Sequence, residues 1–76
     1  MYIILEIQKY NSGRTDIVAP VLFPETAEGK KQAEQKYYTV LSYAAVSSVD
    51  VHTCVLMNDY GETIEKKTIY HGASET

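Results

Sequence analysis

The chain has 76 residues, 45% of them hydrophobic and 22% charged, which fits one small globular domain and excludes a disordered chain. Ten acidic residues against seven lysines and arginines leave a formal charge of −3 with no basic run. This excludes a protein that grips nucleic-acid phosphates non-specifically, and it leaves seven tyrosines beside one phenylalanine and no tryptophan as the compositional oddity.

Residues 2 to 10 alternate with period two, which predicts a strand. Ile3, Leu5 and Ile7 point one way, while Tyr2, Ile4, Glu6, Gln8 and Tyr10 point the other. The first set is wholly aliphatic and is expected to face the core. Asn11-Ser12-Gly13 is turn chemistry. A second strand is predicted over Ile17 to Phe23, with Ala19, Val21 and Phe23 on its core face. Pro20 has no N–H for a central ladder, so this strand belongs at a sheet edge.

Pro24-Glu25-Thr26 opens a helical region, with Thr26 as N-cap and Glu28 favourable in the first turn. From Lys30 to Ser47 the period is helical: Ala33, Tyr37, Val40, Leu41, Ala44 and Ala45 gather on one side. Gln32, Lys36, Thr39 and Tyr43 take the opposite side. Val49 to Met57 returns to alternation, with Val49, Val51, Val55 and Met57 against Asp50, His52, Cys54 and Leu56. Asn58-Asp59-Tyr60-Gly61 predicts a hairpin turn with Gly61 in the left-handed position. Thr63 to His71 is the last strand, and residues 72–76 are read as a flexible polar tail.

The element order is therefore β-β-α-β-β within one domain over residues 1–71. The expected fold class is α+β, a four-stranded antiparallel sheet in the order 2-1-3-4 with one helix on one face. The other face must meet water or a partner. On the phase chosen above, that uncovered face carries Tyr2, Ile4 and Tyr10 from the first strand and Val18 and Leu22 from the second. A three-residue hairpin loop then pairs Leu56 with Ile64, Cys54 with Lys66, His52 with Thr68 and Asp50 with Tyr70 on the same face. Isoleucine, leucine and tyrosine in such a surface point to homodimerisation or higher assembly, with Tyr2, Ile4, Tyr10, Leu22, Leu56 and Ile64 as interface residues.

Reactive constellations are few. Asp50, His52 and Cys54 share a face of one strand, yet the outer two stand about 13 Å apart, too far to converge on one metal ion. His52 beside Cys54 has no orienting third group in the sequence pattern and no Gly-rich oxyanion turn. Gly13, Gly29, Gly61 and Gly72 are isolated, so neither a P-loop nor a dinucleotide fingerprint is present. No enzyme activity, metal or cofactor is expected. Cys54 is the only cysteine and cannot form an internal disulfide. The opening apolar stretch stops at Glu6 without a basic segment before it, too short for a signal peptide or a membrane span, so the cytosol is the expected location. Lysines interleaved with tyrosines suit stacking on a base and pairing with phosphates of a small nucleotide. The candidate ligand residues are Lys31, Tyr38, His52, Lys66 and Tyr70.

The segment from Glu34 to His52, followed by Val55-Leu56-Met57 and the Gly61 turn, resembles short, mostly uncharacterised proteins encoded by phages and prophages of Gram-positive, often gut-dwelling, bacteria. Glu6-Ile7-Gln8 in the opening strand and Tyr70-His71 at the close share that resemblance. The chain departs from the pattern in a longer Pro20 to Gly29 connection, which leaves the helix start open. The resemblance implies an accessory factor that acts against host defence in the cytoplasm of the bacterial host. Its most concrete form is a homo-oligomer that sequesters a nucleotide immune signal. The alternatives are a protein–protein inhibitor of a defence effector such as a CRISPR nuclease, docking through the open sheet or a Tyr43–Val46 helix patch, and a minor virion structural or assembly component.

Overall fold

The computed structural model describes residues 1–71; the tail expected at 72–76 lies outside the described residues. Four strands and one helix follow in the order β1 (Tyr2–Lys9), β2 (Thr15–Phe23), α1 (Ala27–Val46), β3 (Val51–Asn58) and β4 (Thr63–Tyr70). The strands form one antiparallel sheet in the spatial order β2-β1-β3-β4. This is the α+β arrangement the alternation predicts, with the Pro20 strand at an edge.

Local chemistry sets the boundaries. Gly13 (φ 98°) turns β1 into β2, and Gly61 (φ 89°) closes the last hairpin, both in the left-handed region that favours glycine. Asn58 holds that hairpin through its side chain: its Oδ1 accepts from the backbone N–H of Tyr60 and of Glu62, each at 3.0 Å. Thr26 caps α1, its Oγ1 accepting from Gly29 N–H at 2.9 Å, so the helix starts at Ala27, three residues before the periodic stretch at Lys30. Gly29 is obligatory for a reason the pattern does not reveal: a Cβ there would run into the Pro24 carbonyl.

The ladder carries two bulges. Between Ile4↔Val21 and Glu6↔Val18, two β2 residues, Ala19 and Pro20, oppose Leu5 alone. Between Met57↔Thr63 and Leu56↔Glu65, β4 carries Ile64 as an extra residue. The three-residue loop is as expected, but the second bulge moves every later pair by one. Cys54 lies opposite Lys67 and His52 opposite Ile69; Val51, rather than Asp50, lies opposite Tyr70.

On β1 and β3 the helix lies on the face opposite to the expected one, whereas on β2 Val21 and Phe23 face it and Leu22 does not, as expected. Val18, expected on the open face, pairs with Glu6 on the helix side. The buried stripe of α1, Gly29, Ala33, Tyr37, Val40 and Ala44, packs with Ile4, Cys54 and Leu56, with Tyr2, Val21, Phe23 and Leu41 at the margins. Ala45, expected in that stripe, is exposed. Ile3, Leu5 and Ile7, expected beneath the helix, lie on the open face. Period-two alternation separates two faces but does not say which one a helix takes. Here β2 and β3 run parallel on either side of β1, so β2–α1–β3 is a crossover. The strong handedness of such connections ties the helix to one side whatever the apolar content of that side.

Candidate binding surfaces

The reactive side chains are interior. Cys54 is fully buried, and loss of hydration pushes its thiol up to about 11, with the Glu6 carboxylate adding to the rise. His52, expected to be half exposed and available to a ligand, is 3% exposed beneath the helix. Its Nε2 lies 2.5 Å from Glu6 Oε2, and its Nδ1 lies 3.5 Å from Ser47 Oγ. The network continues outward: Gln8 Nε2 donates to Glu6 Oε2 at 3.1 Å, and Tyr10 O–H donates to Gln8 Oε1 at 3.3 Å.

In composition this is a serine, histidine and carboxylate in sequence, and Glu6 is the orienting group that the sequence pattern did not show. Its geometry is that of a structural brace. Ser47 Oγ already donates to Ala44 O and accepts from Val49 N–H, each at 3.3 Å, as the C-cap of α1. The imidazole is enclosed by the helix, so it has no open approach for a substrate. A second histidine contact closes the same end, His71 Nε2 donating to Ala44 O at 2.6 Å. Asp50, two residues before His52 in sequence, accepts from Asn11 N–H at 2.8 Å and steadies the first turn. Among the described residues, no three His, Cys, Asp or Glu side chains gather as a metal site.

The open face of the sheet is the more apolar one. Read across β2, β1, β3 and β4, its rows are Leu22–Ile3–Met57–Thr63, then the Ala19-Pro20 bulge–Leu5–Val55–Lys66. Ile17–Ile7–Thr53–Thr68 and Thr15–Lys9–Val51–Tyr70 complete it. The aliphatic residues occupy β2, β1 and β3. Polar side chains and Tyr70 line β4, and Thr53 and Thr68 share a hydroxyl hydrogen bond at 3.0 Å. Ile17 is 65% exposed and Leu22 54%. Lys9 and Lys66 are the charged residues of these rows; none of the positions is acidic.

A second surface is the outer side of α1. Lys31, Gln35, Tyr38 and Ser42 follow one another at helical spacing, with Thr39 and Tyr43 beside them. Tyr43 is 69% exposed, and Val46 ends the stripe uncovered. Tyr38 stands edge-on to buried Tyr37, ring centroids 5.3 Å apart, and its hydroxyl donates to Glu65 Oε1 at 3.4 Å. The Glu65 carboxylate is the main cause that raises the Tyr38 phenol above its ordinary range. Gln35, Tyr38, Thr39, Ser42 and Tyr43 form an open, shallow patch along the outer helix, and an open depression of ≈ 410 Å³ lies towards β2, between Phe23 and the helix residues Gln32, Gln35, Lys36 and Thr39.

The expected ligand residues occupy three separate places. Lys31 and Tyr38 are outside the helix, Lys66 and Tyr70 are on the open sheet face, and His52 is in the interior. One protomer does not bring them together. Of the expected interface residues, Leu22 lies on the open face. Ile4 and Leu56 are 2% and 1% exposed under the helix and have no surface to offer a partner, while half-buried Tyr2 borders them. Tyr10 is taken up by the first turn, its ring covered by the Arg14 guanidinium at 4.4 Å. Ile64 is the bulged residue at the β4 edge. Lys66 and Tyr70 reach the open side as expected because the face reversal and the one-residue register shift cancel on β4.

No family model matches this chain, and no curated protein or solved structure is significantly similar to it.

Proposed function

We propose that this chain is a non-enzymatic binding protein that self-associates and presents a tyrosine-bearing helix to a protein partner. The observation that carries this reading is how the side chains are divided between surface and interior. The thiol and the buried imidazole are locked inside, while an aliphatic sheet face and an uncharged stretch of helix with two exposed tyrosines face outward. Tyrosine offers large contact area at low entropy cost, and glutamine, serine and threonine beside it supply adaptable hydrogen bonds. With the resemblance to phage and prophage proteins, the partner is a defence protein of the bacterial host, a CRISPR effector being one example.

The separation of the five candidate ligand residues favours a protein partner over a nucleotide held within one protomer. A second reading keeps a nucleotide immune signal as the ligand. It is favoured by Lys66 and Tyr70, which share the open side of β4 about 13 Å apart, so that a second copy could close a site between them.

Capture from a host lysate and calorimetric titration with a nucleotide panel separate these readings. A stoichiometric protein complex that disappears with Tyr43→Ala is the expected result. Heat of binding that disappears with Lys66→Ala supports the second reading instead. Neither signal, with the folded wild-type chain, overturns both.

A further inference from the structure

We infer that the uncovered sheet face is a dimer interface, covered by the same face of a second copy of this chain. The inference rests on the self-associating reading above and assigns it to particular residues.

The composition of the face argues first. Ile3, Leu5, Ile7, Ile17, Leu22, Val51, Val55 and Met57 form a continuous aliphatic surface, whereas the helix-covered side holds Glu6, Gln8 and His52. A chain that buries its more polar face and leaves the more aliphatic one open resembles one half of a divided core, as in homodimers with obligate interfaces. Aliphatic residues without acids suit a copy of the same surface. Lys9 and Lys66 sit at a strand end and on an edge strand, where their stems lie on apolar area and their ammonium groups reach water.

Area argues next. Four strands about 4.8 Å apart and about eight residues long give a projected face on the order of 500 Å² per copy. Two copies then bury about 1,000 Å² before side-chain relief is counted, at the level a specific interface must clear. Sheets stacked face to face lie about 10 Å apart, a spacing that aliphatic side chains from both sides fill by interdigitation.

Closure decides the number of copies. The second face of each sheet is already covered by its own helix, so face-to-face stacking consumes the apolar surface and ends at two. The product is a helix–sheet–sheet–helix sandwich with a two-fold axis between the sheets. Leu5–Val55 and Ile7–Thr53 are the two middle rows of the central strands, so that axis passes near them.

The experiment is the solution mass of wild type, Leu5→Lys and Leu5→Glu at one concentration, with circular dichroism confirming the fold. Wild type is expected at twice the chain mass and each variant at the chain mass. An equimolar mixture of the two variants should return to twice the chain mass, because opposite charges then meet at the centre. Should either variant fail to fold, Ile17→Lys replaces it: the side chain is already 65% exposed, and the dimer should dissociate at least tenfold more readily. A folded Leu5→Lys chain that stays dimeric, or unchanged affinity in Ile17→Lys, overturns this face as the interface and leaves self-association standing. A monomeric wild type overturns both.

Discussion

Glu6 and His52 sit on neighbouring central strands with Oε2 and Nε2 2.5 Å apart, and this contact makes the helix-covered face habitable for polar residues. Gln8 and Tyr10 extend the network to the first turn, and Ser47 ties it to the helix C-terminus. A buried imidazole N–H without an acceptor would be expensive; with Glu6 it becomes a clamp between β1 and β3.

Glu6→Ala should therefore destabilise the chain by about 1–3 kcal/mol, since it leaves a buried donor unpaired. Glu6→Gln, which keeps an acceptor, should lose less. Urea unfolding followed by circular dichroism measures both. Equal stability of Glu6→Ala and wild type would remove the clamp from the account.

Gly29→Ala reverses the usual sign. In an open helix interior the substitution gains about 1 kcal/mol from helix propensity. Here the new methyl meets the Pro24 carbonyl, and relieving that overlap displaces the chain entering the helix. A net loss of about 1–3 kcal/mol is expected, read as a lower urea midpoint with unchanged slope.

Cys54 should resist labelling. Its thiol is fully buried and keeps its proton up to about 11, so a thiol reagent at pH 8 should react far more slowly with the native chain than with the urea-unfolded one. The same shift sets a pH dependence. The unfolded chain releases the thiol proton near the ordinary value of 9.0, while the fold retains it to about 11. Across that window the native state binds more protons, so stability falls as pH rises from about 9 and is untouched below it. Burial raises the Tyr37 phenol as well and acts in the same direction. Thermal unfolding at pH 7, 9 and 10.5 should show the decline only above 9.

Tyr43→Ala should leave stability within about 0.5 kcal/mol, because the side chain is 69% exposed and lies outside the buried core cluster. Any partner held by the helix should be lost with it. Retention of the partner by the folded variant would move the docking site off the outer helix.

Element order, strand order and the edge position of β2 were legible because they rest on local rules. Alternation marks strands, glycine marks positive-φ turns, Thr26 caps, and Pro20 refuses a central ladder. The assignment of faces was not. Ile3, Leu5 and Ile7 carry the stronger hydrophobic signal, and a pattern reading sends such a face to the helix. The crossover connection and the Glu6–His52 pairing decide otherwise, and both are non-local. The β4 register was hidden for a related reason: the bulge at Ile64 lies beyond the turn, and the turn sequence does not announce it. The candidate ligand residues are alike in chemical type, and type alone does not reveal that Lys31 and Lys66 lie on opposite sides of the molecule.

The proposed dimer places a second copy over the aliphatic face that the helix leaves open. Light scattering of the unmodified chain across a range of concentrations gives the mass that decides it. Twice the chain mass of 8.6 kDa, falling towards the single mass only on dilution, is the result expected. A single-chain mass at every concentration, with the native fold intact, would contradict it.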